Sequence, residues 1–333
     1  MAGIKEKIRH ILPPKILYYY YLRSARKACM PDLKRRVHDK VYNNSKEEKV
    51  KRNLTLEYHI IEKGLTMPEP RPGFGKAIVL SLGNTIFKYD SLGLSWQELE
   101  FKQSVSVLKE YKAFHQAINF TLDEDVKKVL DKVESKFKSI TGVHQIHISR
   151  EEYFNAINKP FDKFCRSRYS VRNYISEVIP EDVLLQCIDL AQKSPSFCNR
   201  QPSRVHIVKS PEKKEQVLAI QNGNRGFGHL AETLLVISSI ISTTKDIHER
   251  NENHLNGGMF AMTLLNALHL HKIGACSLNW SVSEDREQKM RKIIDLADNE
   301  IPLMIISCGY LPDSIAIASS PRKPAKEITR IHN

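Results

Sequence analysis

The segment SPSFCNRQPSRVHIV, Ser194–Val208, joins a helical pattern to a strand pattern through a proline-flanked polar loop. Apolar residues at helical spacing predict a helix that starts after Pro180 and ends before Pro195. The following RVHIV predicts a short strand. The loop carries four side chains with several hydrogen-bonding groups: Asn199, Arg200, Gln201 and Arg204. Taken alone it is a polar helix-to-strand connector, but these groups also suit a wall of a polar ligand site.

Two longer apolar runs and one long helix follow this segment. TLLVISSII (233–241) and IPLMIISCGYL (301–311) predict buried strands. Between them, GGMFAMTLLNALHLHKIG (257–274) predicts a helix that is apolar on almost every side, which is typical of a large core or a subunit interface. The second half of the chain is therefore expected to be α+β, with helices and a few near-continuous apolar strands.

The first part of the chain shows helical patterns and no strand alternation. Residues 45–65 predict a helix with Ser45 as N-cap, Glu48 as its capping-box partner and Gly64 as the stop. Helical patterns follow at 95–119 and 123–140. Because 333 residues exceed the usual size of one domain, we expect a mostly helical N-terminal region, 1–155, and a second domain, 156–333.

The positive charge is concentrated near the N-terminus. Of the net +13, residues 1–60 hold 15 Lys and Arg against 6 Asp and Glu, a net +9, and the other 273 residues hold only +4. The segment ILPPKILYYYYLRSARK (11–27) mixes tyrosines with cations. It is consistent with a surface that contacts anionic lipid, nucleic acid or an acidic partner. We favour an amphipathic helix whose tyrosines pack on its own domain, since charge runs are usually solvated faces, and the nucleic-acid signal is not strong.

Composition and cysteine spacing narrow the class of protein. Hydrophobic residues at 41% and charged residues at 27% are globular values, and the sequence lacks a long uncharged apolar run and a signal-peptide pattern. The 6 cysteines form no CxxC pair. We therefore expect a cytoplasmic protein with reduced thiols and no metal site. GNRGFG (223–228) has the wrong glycine spacing for a Rossmann site, and HERNENH (248–254) does not have HExxH spacing.

Two further polar segments could bind a ligand. RSRYSVRNY, Arg166–Tyr174, offers three guanidiniums and two serine hydroxyls just before the Pro180 helix. A guanidinium gives paired, charge-assisted donors that suit a phosphate monoester, although an exposed basic loop would look the same. Near the end of the chain, PRKP places Arg322 and Lys323 between two prolines, a pattern that is also ordinary for a basic tail.

The order of these segments carries more information than any one of them. An arginine- and serine-bearing loop before a helix, a Pro-Ser-x-x-Asn-x-Gln-Pro loop after it, a long buried helix, a CGYLPD strand end and a terminal PRKP follow in sequence. Together, from about Phe164 to Ile328, they resemble the nitroreductase family of flavin mononucleotide (FMN) enzymes. The resemblance implies the nitroreductase-like FMN-binding α+β fold for this half, in which a central mixed or antiparallel sheet is flanked by helices. The mostly helical N-terminal region is then an extension.

The resemblance also implies which residues bind the cofactor. The first loop, which in the family grips the FMN phosphate and ribityl chain, corresponds to Arg166, Arg168, Tyr169, Ser170 and Arg172. The loop that lies against the flavin ring corresponds to Pro195, Ser196, Asn199 and Gln201. The asparagine at the pyrimidine edge corresponds to Asn224, with Asn222 as the alternative. The segment near flavin N5 corresponds to Leu278, Asn279 and Trp280, and the basic pair that closes on the phosphate to Arg322 and Lys323.

The activity implied is that of an FMN-dependent oxidoreductase. The flavin takes a hydride from NADH or NADPH and reduces a small organic acceptor, such as a nitroaromatic, a quinone, an enone or a biosynthetic intermediate. We name no catalytic acid or base, since this chemistry needs little of either. Family members normally form homodimers in which two chains share each FMN site. The alternative is a flavin-binding or assembly module without turnover, whose basic N-terminal region (1–60) binds a membrane surface, nucleic acid or partner protein.

One N-terminal segment adds to the resemblance. EYHIIEKGLTMPEPRPGFG (57–75) resembles a segment of longer nitroreductase-like proteins, some of them associated with surface-polysaccharide gene sets. This association makes an intermediate of surface-polysaccharide synthesis one possible substrate class. The other expected role of the segment is to pack the N-terminal region against the catalytic domain.

Overall fold

The computed structural model describes residues 13–39 and 45–332. In chain order, the helices of these ranges are α1 (Pro14–His38), α2 (Lys46–Leu65), α3 (Lys76–Ser91), α4 (Leu99–Ala117), α5 (Glu124–Lys136), α6 (Arg150–Tyr153), α7 (Phe161–Ser167), α8 (Glu181–Ala191), α9 (Pro211–Ile220), α10 (Glu252–Leu270), α11 (Glu284–Ile293) and α12 (Ala325–Ile328). The strands are β1 (Ile146–Ser149), β2 (Ser203–Val208), β3 (Thr233–Ile240), β4 (Gly274–Asn279), β5 (Glu300–Gly309) and β6 (Ser314–Ile317). Within this part of the chain, no helix combines the length and apolar character needed to cross a membrane.

The main sheet has four strands in the order β2-β3-β5-β4, and every neighbouring pair is antiparallel. Successive side chains of the central strand β3 point to opposite faces, and both faces are covered by helices. Its run TLLVISS is buried throughout for that reason. The predicted α+β fold is confirmed, with an antiparallel sheet. A separate two-stranded sheet pairs β1 with β6.

Helices pack on both faces of the main sheet. On one face, Leu234 and Val236 belong to a cluster that includes Val217 of α9 and Met290 of α11. On the other face, Leu235 packs with residues of α8 and α10, including Leu184, Leu264 and Leu268. Because successive side chains of β3 point to opposite faces, one continuous apolar strand contributes to two hydrophobic cores.

Helix α10 is only partly covered by its own chain. Phe260, Leu264 and Leu268 are buried against the sheet. An opposite stripe remains exposed, formed by Leu255, Met259, Met262 and Leu270 at 38–55% exposure. The helix that the sequence predicts to be apolar on almost every side therefore presents one apolar face to the solvent of the isolated chain.

Helices α2 to α5 surround a core of their own. Its largest buried side chains include Tyr89, Phe101, Tyr111 and Phe137. The N-terminal region also contacts the end of the chain, since Glu62 of α2 accepts a hydrogen bond from the Ser320 N–H at 2.9 Å. The division at residue 155 stays a prediction.

Helix α2 begins and ends where the sequence predicts, but Gly64 does not have the predicted role. The Ser45 hydroxyl accepts a hydrogen bond from the Glu48 N–H at 3.0 Å, and both halves of the capping box form. Gly64 is not the stop, because the helix continues to Leu65. A Cβ at Gly64 would lie 2.1 Å from the ring of Phe74, so this glycine permits close packing instead.

Helix α1 differs from the amphipathic interpretation. No residue of α1 is buried, and Tyr18 to Tyr21 are 41–63% exposed. Tyr18, Tyr20 and Tyr21 line a cleft of ≈ 780 Å³ with residues 241–250 of the C-terminal half, not with their own region. The predicted anionic-surface contact through residues 1–60 falls partly on residues 1–12 and 40–44, which lie outside the described ranges.

Candidate functional site

A cavity of ≈ 950 Å³ lies where α7, strand β4 and the end of the chain meet. We call it the arginine cavity. The predicted phosphate-binding residues among its lining are Arg166, Arg168, Tyr169, Ser170, Arg172 and Arg322. Ser277 of β4 and residues 318–321 complete this side. Residues far apart in sequence that the resemblance assigns to one phosphate thus share one cavity.

Backbone pairing with the edge of the sheet holds the arginine loop, residues 166–172, in place. The Val171 N–H donates to the Ala275 carbonyl of β4 at 3.1 Å. The Tyr153 hydroxyl donates to the Tyr169 carbonyl at 2.8 Å. These bonds fix the loop against rigid elements, so its side chains are positioned before a ligand arrives.

The guanidiniums of this loop have no acidic partner. Within the part of the chain that the structure describes, the side chains of Arg166, Arg168 and Arg172 make no hydrogen bond or salt bridge, and Arg172 lies 5.8 Å from the centre of the Phe227 ring. Arg172 is only 9% exposed, and the Arg168 Nε is buried without an acceptor. Burying unpaired cations is costly. The arrangement is therefore typical of a site that an anionic ligand completes.

The polar loop, residues 195–202, has an unusual backbone. Cys198, Asn199 and Gln201 have φ of 49°, 54° and 49°, in the left-handed region that most residues avoid. The Gln201 N–H donates to the Ser196 hydroxyl at 3.0 Å, and the Gln201 amide donates to Asn199 Oδ1 at 3.1 Å. Such strain is common where a loop clamps a ligand.

Arg200 anchors this loop, a role that the sequence did not reveal. Its guanidinium donates to both carboxylate oxygens of Glu249, at 2.5 and 3.2 Å. The loop also lies on α10, since the Phe197 N–H donates to Asn256 Oδ1 at 3.2 Å. None of the predicted residues Pro195, Ser196, Asn199 and Gln201 lines the arginine cavity, so one chain does not bring the two predicted halves of the site together.

The residues predicted at the flavin edge form a neighbourhood around Gln221. The Asn224 amide donates to the Gln221 carbonyl and side-chain oxygen, both at 2.9 Å, and the Gln221 amide donates to the Asn279 carbonyl at 3.0 Å. Leu278 is buried in β4, and the buried Trp280 Nε1 has no acceptor. Gln221, which sequence analysis missed, thus joins the Asn224 turn to the end of β4.

The terminal basic pair is split by the structure. Arg322 lines the arginine cavity. Lys323 forms an ion pair with Glu100 of α4 and lines a different depression with α2 residues. The predicted role of Lys323 at the phosphate stays a prediction, and the structure gives this lysine an acidic partner.

The family profile described as "Nitroreductase family" matches residues 165–222, which run from the arginine loop through the polar loop to the Gln221 turn. This part of the chain is similar to the nitroreductase family. No curated protein matches the chain.

Solved structures with similar folds cover about half of the chain. One is a putative NADH oxidase from Clostridium acetobutylicum, with 20% identity, covering 50% of this chain and 97% of that one at a TM-score of 0.44. Another is a putative nitroreductase in complex with FMN from Desulfovibrio desulfuricans, with 17% identity, covering 53% and 98% at 0.45. A third is a putative NAD(P)H:FMN oxidoreductase from Staphylococcus epidermidis, with 20% identity, covering 52% and 96% at 0.45.

A buried histidine lies behind the arginine loop of this nitroreductase segment. His269 of α10 has its Nε2 2.8 Å from the Ser167 hydroxyl, which itself donates to the Phe164 carbonyl at 2.8 Å. Burial, and then the charge of Arg168, lower the pKa of His269 from 6.5 to about 4. His269 is therefore neutral at physiological pH and adds no charge to the arginine cavity.

The wall opposite the nitroreductase segment comes from the N-terminal region. Thr55, Tyr58 and His59 of α2 line the arginine cavity. Tyr58 and His59 belong to the segment 57–75 that resembles longer nitroreductase-like proteins, but the resemblance assigns no residue of this segment to the site. Across the described ranges, no cluster of three or more His, Cys, Asp or Glu is placed to hold a metal ion.

Proposed function

We propose that the protein is an FMN-dependent oxidoreductase that uses NADH or NADPH to reduce a small organic acceptor. The observation that carries the proposal is the set of unpaired guanidiniums of Arg166, Arg168 and Arg172 around one cavity. The acceptor classes are those implied by the resemblance: a nitroaromatic, a quinone, an enone or a biosynthetic intermediate, possibly of surface-polysaccharide synthesis.

The donor set of the arginine cavity fits the phosphate of FMN. Three arginine forks, the Ser170 and Ser277 hydroxyls and Arg322 offer the charged and neutral donors that a phosphate dianion needs. A phosphate oxygen near Arg168 would also give the orphaned Nε an acceptor in its surroundings. The cavity volume of ≈ 950 Å³ is within the range for cofactor sites.

Each group of residues has a distinct task in the proposed enzyme. When bound, FMN supplies the two-electron chemistry: it accepts a hydride from the nicotinamide and passes the electron pair to the acceptor. The arginine loop binds and orients the phosphate end. The Gln221 amide holds Asn224 and Asn279 in one arrangement at the proposed ring end. The strained polar loop presents Asn199 and Gln201 to the proposed ring.

A homodimer would bring the polar loop to the arginine cavity of a second chain. The exposed stripe of α10, Leu255, Met259, Met262 and Leu270, supports this arrangement. It lies beside the polar loop, because the Ser194 hydroxyl is 2.6 Å from that of Thr263 on the same helix. Pairing these stripes would bury an apolar face and place the loop at the interface.

Flavin uptake and reduction test the proposal. The purified protein should bind FMN with a change in the flavin spectrum, and NADH or NADPH should bleach the absorbance near ~450 nm in the absence of oxygen. A protein that takes up no FMN would contradict the proposal. Flavin that binds but is never reduced by either nicotinamide would favour the module without turnover.

A further inference from the structure

The N-terminal helix α2 reaches the arginine cavity with a histidine held by a buried carboxylate. His59 lines the cavity, and its Nδ1 lies 2.9 Å from Glu62 Oε2. The Glu62 side chain is fully buried, whereas that of His59 is 39% exposed. The pair therefore has its carboxylate in the protein interior and its imidazole at the cavity wall.

Glu62 also holds the chain segment that leads into Arg322. Its Oε1 accepts hydrogen bonds from the Ser319 hydroxyl and the Ser320 N–H, both at 2.9 Å. Burial opposes ionisation of this carboxyl, but the hydrogen bonds from His59, Ser320 and Ser319 prevail and lower its pKa below the usual 4.5. One ionised carboxylate thus fixes a histidine and an arginine-bearing segment on the same cavity.

The hydrogen bond to Glu62 decides the orientation of the imidazole. A carboxylate only accepts, so the Nδ1–H of His59 donates to Glu62. Its Nε2 has no partner in the described part of the chain. Nε2 is therefore the polar atom that His59 can offer to a ligand, and it donates to a phosphate oxygen when the ring is protonated on both nitrogens.

Lys323 is paired elsewhere, so another basic group can take its predicted place at the phosphate. The resemblance assigns Lys323 to the phosphate, but its ammonium pairs with the buried Glu100 of α4. His59 and Arg322 line the arginine cavity together, and Lys323 does not.

We propose that His59 binds the phosphate group of the ligand in the arginine cavity, and that Glu62 positions both His59 and the Arg322 segment for this contact. The N-terminal region is then part of the cofactor site, not only a packing partner of the catalytic half. The inference rests on the proposed function, because FMN is the phosphate-bearing ligand considered.

Comparison of FMN with riboflavin isolates the phosphate contact. In titrations followed by flavin fluorescence, His59→Ala should weaken FMN binding by about 10- to 100-fold, the usual loss for a hydrogen bond to a charged group. Riboflavin, which lacks the phosphate, should bind the variant and the wild type equally. His144→Ala is the matched control, since His144 pairs with Glu110 at 2.6 Å but lines a different cavity.

A second variant tests the role of Glu62. Glu62→Gln should weaken FMN binding, and adding it to His59→Ala should cost less than the two separate losses would predict, because both changes disturb one contact. His59→Gln, which keeps a donor, should recover part of the FMN affinity and guards against a folding defect in His59→Ala.

The outcomes separate this inference from the proposed function. Wild-type protein that binds no FMN would contradict the proposed function itself. If the wild type binds FMN and His59→Ala binds it equally well, or if His59→Ala loses FMN and riboflavin to the same extent, the phosphate contact of His59 is overturned while FMN binding stands.

Discussion

Arg168 and Arg172 supply charged hydrogen-bond donors to the proposed phosphate site. Replacing both by Ala removes charged donors from the proposed phosphate site and should weaken FMN binding about 100-fold or more, at about 1.5–3 kcal/mol for each lost charged hydrogen bond. Equilibrium titration with FMN measures the loss. Arg26→Ala with Arg330→Ala removes the same charge from exposed positions and should leave binding nearly unchanged. Equal affinities of the two double variants would contradict the assignment of the loop.

The buried His269 makes the free energy of unfolding depend on pH. The unfolded chain takes up a proton at this histidine near pH 6.5, whereas burial, and then Arg168, lower the folded-state pKa to about 4. Stability is therefore full above pH 6.5 and falls between pH 6.5 and 4, by about 3 kcal/mol at most. Urea unfolding at pH 7.5 and 5 should show a smaller loss for His269→Gln than for the wild type. The exposed His147→Gln control should lose as much as the wild type, and an unchanged loss in His269→Gln would contradict the assignment.

Among the elements, local patterns predict several helix ends and strands, whereas the pairing of distant segments is not predictable from them. The cap of α2 was predictable because Ser45 and Glu48 lie three residues apart and act within one turn. Strands β1 and β6 have only 4 residues each and exist through their pairing with one another, which no local pattern reveals. Helix α3 was not predicted, because the three prolines and two glycines of MPEPRPGFG (67–75) just before it indicate irregular structure.

The anchoring of the polar loop by Arg200 can be tested by mutation. Arg200→Ala removes both hydrogen bonds to Glu249 and should lower the free energy of unfolding, since the two side chains are only 26% and 23% exposed. It should also free the strained backbone of residues 198–201, with faster amide exchange there and weaker binding of both FMN and riboflavin. Lys193→Ala, at an exposed position just before the loop, should change neither quantity. Unaltered amide exchange in Arg200→Ala would contradict the anchoring role.

In the whole molecule, the sequence predicts the arginine loop of the proposed site but not the wall of the arginine cavity that α2 forms. The arginine loop is a short segment, so its motif was visible. The wall built by α2 depends on contacts such as Glu62 with Ser320, 258 residues apart in the chain, and on the capture of Lys323 by Glu100. Such contacts follow from the folding of the N-terminal region onto the end of the chain, which composition and periodicity do not encode.

The exposed apolar stripe of α10 predicts that two chains associate through this helix. We expect the wild type to be a dimer by light scattering, because an apolar stripe beside the polar loop is favourable only when covered. Met259→Glu with Met262→Glu places charges in that stripe, at residues 38% and 44% exposed, and should give monomers. In a monomer, the polar loop of one chain would not meet the arginine cavity of another. The affinities for riboflavin and for FMN should therefore both fall. Val178→Glu, a change at a residue 69% exposed elsewhere, should leave the dimer and both affinities intact. A charged double variant that remains dimeric, or a monomer that retains full FMN affinity, would contradict a site shared between two chains.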